Sequence, residues 1–241
     1  MKLIHLSDLH IAQYGSILWD TDTRHHFDRA VELIKDYKDI SGIVLTGDIS
    51  HDGSQWAYDY VDNQLSALQL PIIACPGNHD DINFIYDRFK PKCLNFNNFA
   101  KIGNYSILNL NSVLPNMARG ELSSESLEFI QKELEKNLPT IICLHHPPIE
   151  PGGWLNRKLL ENRNRFNELL ANYDNVRLVL YGHIHYSQQI KLGNILYSSS
   201  PAVGYAFDKN LPKFEIANGD EGFNIIDIDE SHITIDKIRL V

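Results

Sequence analysis

The chain has 241 residues, 43% of them hydrophobic, and a formal net charge of −9, which is enough length to bury a substantial core in one large domain. That charge leaves no basic stripe to displace counterions from phosphates, and no apolar run is long enough to span a bilayer, so neither nucleic acid nor a membrane is an expected partner. Residues 1–10 enter a strand-like segment without a signal peptide's apolar stretch and cleavage site, while Cys75, Cys93 and Cys143 are too scattered for a disulfide framework or thiolate zinc site, so a cytoplasmic protein is expected.

Apolar runs alternate with amphipathic stretches along most of the chain. Lys2–Leu6 reads as a strand, and Thr23 to about Tyr37 as a helix with Phe27, Val31 and Ile34 on one face. Residues 42–46 form a second strand, followed by a helix from about Ser54 to Leu68 with Trp56, Tyr60 and Leu65 as inner residues. Asp52, Ser54 or both are candidates to cap it. Residues 71–75 are a third strand, and this strand–helix–strand order implies a parallel sheet covered by helices. Further strands are expected over 105–111, 140–144 and 176–181, with helices over 123–136, opened by capping serines, and 159–173. From about residue 189 the chain changes to short strands (189–191, 195–198, 222–227 and 232–238), which predicts a mostly antiparallel part within the same domain, 1–241.

Five apolar runs each end in a polar cluster. Residues 3–6 lead to Asp8 and His10, and 43–46 to Gly47 and Asp48. Residues 72–75 lead to Gly77, Asn78, His79 and Asp80, residues 141–144 to His145 and His146, and 178–181 to His183 and His185. In open α/β sheets ligands gather beyond the carboxyl ends of the strands, so all five clusters fall on one edge. A Gly-Asp turn or a lone histidine is usually structural; five strand ends sharing the pattern point to one site. Asp8, His10, Asp48, Asn78, His145, His183 and His185 offer more nitrogen and oxygen donors than one tetrahedral ion needs. With one carboxylate bridging, they suit two ions of the Mn, Fe, Zn or Co type, a clamp for displacement at phosphorus. Such ions would invert the local charge of an acidic chain.

Taken in order, these blocks resemble the signature of the calcineurin-like metallophosphoesterases: Asp-x-His, Gly-Asp, Gly-Asn-His-Asp, His-His-Pro-Pro and Gly-His-x-His. The resemblance spans residues 8 to 185. It implies an α/β layered sandwich with helices packed on two central mixed β-sheets. It also implies one ion held by Asp8, His10 and His185, a second by Asn78, His145 and His183, and Asp48 as the bridge. His79 is similar to the family's non-ligand histidine, which touches phosphate and donates a proton to the leaving oxygen, with Asp80 orienting it. Asn78, His79 and His185 would contact substrate.

The layout around Arg119–Ser123, Trp154, Asn162 and residues 198–202 is similar to class III bacterial cyclic-AMP phosphodiesterases. By that resemblance the chain hydrolyses 3′,5′-cyclic nucleotides by attack of a metal-bound hydroxide, giving 5′-AMP from cyclic AMP. Trp154, Tyr205 and Phe207 are candidate walls for a nucleobase, or equally loop aromatics packed on the core. His5 is expected to be packed within its strand, His25 and His26 solvated, and His51 in a loop role. His146 lies between support of its ligand neighbour and substrate contact, His232 is expected on a surface strand, and Asp81 as a helix cap. A broader phosphodiesterase or phosphatase, acting on glycerophosphodiesters or monoesters, is the alternative reading. A non-catalytic scaffold of the same fold requires lost ligands, and none is missing here.

Overall fold

The computed structural model describes residues 1–210, 213–217, 219–229 and 232–240. Its strands are β1 (Lys2–Leu6), β2 (Ile40–Thr46), β3 (Ile72–Cys75), β4 (Leu94–Asn95), β5 (Phe99–Ile102) and β6 (Tyr105–Asn109). They continue as β7 (Thr140–Cys143), β8 (Val176–Tyr181), β9 (Gln188–Leu192), β10 (Ile195–Ser199), β11 (Gly222–Ile228) and β12 (Ile233–Arg239). The helices are α1 (Thr23–Lys35), α2 (Gln55–Ser66), α3 (Ser124–Leu134) and α4 (Arg163–Leu170). Two six-stranded sheets form, in the orders β12-β11-β1-β2-β3-β4 and β5-β6-β7-β8-β10-β9. Both have a parallel centre with antiparallel strands at one edge of the first sheet, where β4 closes the other edge in parallel, and at both edges of the second, which gives the expected pair of mixed sheets.

The period of two along each central strand divides its side chains between layers. Val44, Ile73, Ile141 and Leu178 meet between the two sheets. Their chain neighbours Ile43, Leu45 and Ile72 pack with Phe27 and Val31 of α1 and Val61 of α2. Ile142, Val179 and Tyr181 pack with Ile130 of α3 and Phe166 of α4. Burial on both faces is why these strands read as unbroken apolar runs. Among the described residues, no helix is long and apolar enough to cross a membrane.

Several boundaries and partners differ from expectation. The final strands form no antiparallel sheet of their own: β9 and β10 extend the second sheet, β10 running parallel to β8, while β11 and β12 extend the first beside β1. The helix expected from residue 159 starts only at Arg163. Upstream backbone is committed elsewhere, with Gly120 N donating to Leu159 O at 3.0 Å and Leu160 N to Pro147 O at 3.1 Å. The inner face of α2 is Ala57, Tyr58, Val61, Asp62 and Leu65; Trp56 and Tyr60 pack only at its margin. Ahead of α2, Asp52 accepts from Ser54 N at 3.0 Å, and the Ser54 side chain makes no cap bond. Asp81 caps as expected, accepting from Phe84 N at 2.9 Å where a π-helical turn (Phe84–Arg88) begins.

Candidate metal centre and substrate cavity

The carboxyl ends of β1, β2, β3, β7 and β8 place Asp8, His10, Asp48, Asn78, His145, His183 and His185 around one point. Asp8, His10, Asp48, His183 and His185 all have φ between 46° and 71°. This left-handed region costs an L-residue roughly 1–2 kcal/mol. They are five of the eleven non-glycine residues with positive φ among the described residues, so backbone strain gathers at this edge. Gly77 makes the close approach possible, because a Cβ there would lie 2.2 Å from Asp48 Oδ1.

Asp48 Oδ2 sits between two groups, 3.5 Å from His10 Nε2 and 3.4 Å from His145 Nε2. On one side, His10 Nε2 is 3.2 Å from His185 Nε2, which is 3.3 Å from Asp8 Oδ1. On the other, His145 Nε2 is 3.2 Å from Asn78 Oδ1 and 3.1 Å from His183 Nδ1. A tetrahedron of 2.0–2.1 Å bonds has edges of about 3.3 Å, so both groups are spaced as ligand shells, with Asp48 common to the two. Six of the seven residues are at most 6% exposed.

The surrounding bonds turn lone pairs inward. His145 Nδ1 donates to Thr46 O at 2.7 Å and His185 Nδ1 to Tyr205 O at 2.6 Å, which leaves Nε2 of each ring free to ligate. His79 N donates to Asp48 Oδ1 at 2.9 Å, so Oδ2 remains the inward oxygen. Burial holds His10 and His183 well below the usual imidazole range, in the neutral form a metal requires. Burial alone would raise the Asp48 carboxyl, but the facing His145, His10 and His79 rings outweigh it and hold it well below the usual carboxylate range. Burial likewise opposes a proton on His145, yet Asp48 carries it up to about 9. The residues therefore fit a pair of cations that would take that proton's place.

His79 does not bond to Asp80. Its Nδ1 donates to His51 O at 3.0 Å, so a backbone carbonyl, not the expected carboxylate, orients the ring. Asp80 serves the loops: it accepts from Gly77 N at 2.8 Å, Ile49 N at 3.2 Å, Ser50 N at 3.0 Å and Tyr58 Oη at 3.1 Å. A carboxylate with four donors already upon it pins the β2 and β3 ends together. Burial, with Asp48 nearby, pushes its carboxyl up to about 6.

Above the ligands lies a cavity of about 430 Å³. His10, Asp48, Asn78, His79, His183 and His185 line it, which brings the expected substrate contacts Asn78, His79 and His185 to one surface. Trp154, Tyr205 and Phe207 line the cavity and also pack on the core of the second sheet, and Phe207 stacks on His185 with ring centres 4.0 Å apart and planes at 2°. Ala118 and Leu155 add to the lining, as do Trp19, Phe214 and Lys158, which the sequence pattern does not single out. They lie in or beside loops without hydrophobic period, where only aromatic residues in an otherwise polar stretch would have drawn notice.

The remaining histidines separate cleanly. His5 is buried and bonded to Thr46 Oγ1 at 2.9 Å. His146 is buried outside the cavity lining with Nδ1 2.8 Å from Ser112 Oγ, and its ring nitrogens lie within 4.8 Å of those of His145 and His183, so it is placed to join their ligand group. His51 stacks on His79 at 5.0 Å, His25 and His232 are exposed, and His26 is not simply solvated, since its Nδ1 donates to Gly204 O at 2.8 Å. Asn162 clamps Leu122 through two bonds, at 3.1 and 2.7 Å, and a Cβ on Gly120 would meet His146 Nδ1 at 2.3 Å. The 119–123 segment thus braces His146 and does not line the cavity.

The model of the calcineurin-like phosphoesterases matches residues 1–187, and the chain belongs to that family. It is a metal-dependent phosphoester hydrolase. Over 231 residues the chain is 28% identical to the 3′,5′-cyclic-nucleotide phosphodiesterase of Nostoc sp., covering 94% of this chain and 87% of that protein. It is 25% identical to the 3′,5′-cyclic adenosine monophosphate phosphodiesterase CpdA of Escherichia coli, covering 95% and 85% respectively. The crystal structure of a dimetal phosphatase from Danio rerio superposes with a TM-score of 0.71 at 14% identity, over 100% of this chain and 96% of that one, a likeness of fold.

Proposed function

We propose that the chain is a two-metal phosphodiesterase that opens 3′,5′-cyclic nucleotides, converting cyclic AMP to 5′-AMP. The observation that carries this reading is the union of an ion-ligand floor with aromatic walls in one cavity. About 430 Å³ falls in the usual range for a small-molecule site, roughly 300–1,000 Å³. Two cyclic-nucleotide phosphodiesterases related over nearly the whole chain support the substrate class. We assign Asp8, His10 and His185 to one ion, Asn78, His145 and His183 to the other, and Asp48 to both.

Ions held there would neutralise the phosphoryl oxygens and supply a hydroxide nucleophile at neutral pH. The chain's own residues do the rest. Asn78, His79 and His185 meet the phosphate at the cavity floor, and Trp154, Tyr205 and Phe207 hold the base and exclude water. His79 Nδ1 is engaged by the His51 carbonyl, so Nε2 is the atom that delivers a proton to the departing ribose oxygen. An alkoxide leaves poorly, which gives that proton its value. Asp80 acts only through the loops it pins.

The test is a metal-reconstituted assay across cyclic AMP, cyclic GMP, 2′,3′-cyclic AMP, a glycerophosphodiester and a phosphomonoester. The 3′,5′-cyclic nucleotides should give the highest kcat/KM. A monoester outrunning cyclic AMP would sink the substrate assignment, and two bound ions with no turnover of any ester would favour a scaffold.

A further inference from the structure

Beneath the ligand shell runs a buried chain of side chains that the reaction does not touch. His5 Nε2 is 2.9 Å from Thr46 Oγ1, Thr46 Oγ1 is 2.9 Å from Ser7 Oγ, and Ser7 Oγ is 2.6 Å from Asp8 Oδ2. All four residues are 0% exposed. Proton counting sets the direction. The Ser7 hydroxyl has one proton, and the 2.6 Å contact to a carboxylate claims it over the Thr46 carbonyl at 3.1 Å. The Thr46 proton must then go to Ser7, and His5, which burial keeps neutral with its pKa lowered to about 3, must donate through Nε2. Every donor points toward Asp8, the arrangement in which successive bonds polarise one another.

We propose that His5, Thr46 and Ser7 are positioning residues that fix Asp8 as a single-oxygen metal ligand and link the two ion sites through Thr46. The His183 backbone N–H is shared between Asp8 Oδ2 at 3.0 Å and Oδ1 at 3.2 Å, whereas Ser7 donates to Oδ2 alone, so Oδ1, 3.3 Å from His185 Nε2, is the less engaged oxygen and the one that faces the ion. Gly182 allows this pair to pack closely, because a Cβ there would lie 2.0 Å from Ser7 Oγ and 2.8 Å from Asp8 Oδ2. Thr46 serves the other site with its main chain: its carbonyl accepts a hydrogen bond from His145 Nδ1 at 2.7 Å. One residue at the end of β2 therefore sets a carboxylate of one ion site and an imidazole of the other, and only the first contact depends on its side chain.

This inference rests on the two-ion reading above. The experiment titrates metal-free wild type, Thr46→Val, Thr46→Ser and Ser7→Ala with Mn(II), following heat and bound-ion count. Thr46→Val keeps shape and carbonyl but loses the hydroxyl. It should loosen one ion by about 10- to 100-fold, the usual cost of losing a partner of a metal ligand, while the other keeps near wild-type affinity. Ser7→Ala should do the same, and Thr46→Ser should restore binding. If Thr46→Val does not fold, Ser7→Ala and Thr46→Ser still decide. Wild type binding two ions beside Ser7→Ala or Thr46→Val with unchanged affinities overturns the inference alone. Wild type taking up no Mn(II) removes the two-ion reading and the inference with it.

Discussion

Replacing His79 with alanine should leave metal content at the wild-type level and lower turnover by about 10²–10⁴-fold, the range general acid catalysis supplies. The geometry separates these two effects. His79 reaches Asp48 through its backbone N–H, at 2.9 Å, and that bond survives truncation of the ring. The ring itself is held through Nδ1 by the His51 carbonyl and belongs to neither proposed ligand group. The loss should be steepest for esters whose leaving oxygen is most basic and shallow for an activated aryl ester, which departs without a proton. His10, His51 and His79 also bring ring nitrogens within 4.8 Å of one another, spacing that could hold an ion. Release of metal from His79→Ala would mean that group, and not the proposed pair, holds an ion.

Asp48→Ala should do more, emptying or loosening both ion sites and lowering turnover by at least the roughly 10²–10³-fold that one lost electrostatic stabiliser costs. Asp48 Oδ2 is the only carboxylate oxygen within 3.5 Å of imidazoles from both groups among the described residues. Asn78→Ala should affect one site only, and metal counts by mass spectrometry distinguish the two outcomes. The metal-free proteins should differ in pH dependence as well. His145 has its pKa raised in the fold to about 9, against burial, by Asp48. A raised imidazole pKa contributes stability that is fully present below about 6.5, the unfolded value, and is lost as pH rises through about 9. Denaturation midpoints of metal-free wild type should therefore fall across that window, and Asp48→Ala should flatten the decline.

Much of this site was legible because buried parallel strands declare themselves twice, by an apolar run and by an abrupt polar end. Ile43–Val44–Leu45 alternates between two cores, so each position is apolar and the break at Gly47 and Asp48 stands out. What sequence did not reveal depends on contacts between distant segments. Nothing in residues 188–199 says that β10 will lie parallel to β8, because pairing there is chosen by the sheet edge left open by β7 and β8. The resemblance pairs Asp80 with His79, but its oxygens are claimed by backbone donors from residues 49 and 50, whose approach is a tertiary event. Trp19 and Phe214 sit in loops with no period, so their place on the cavity wall follows from the fold alone.

Stepwise reconstitution of the metal-free protein with Mn(II), with bound ions per chain and conversion of cyclic AMP to 5′-AMP read on the same samples, tests the central claim most directly. Two ions should bind, with 5′-AMP forming as the second site fills. Full turnover with a single ion bound, or two ions bound with cyclic AMP untouched, would contradict it.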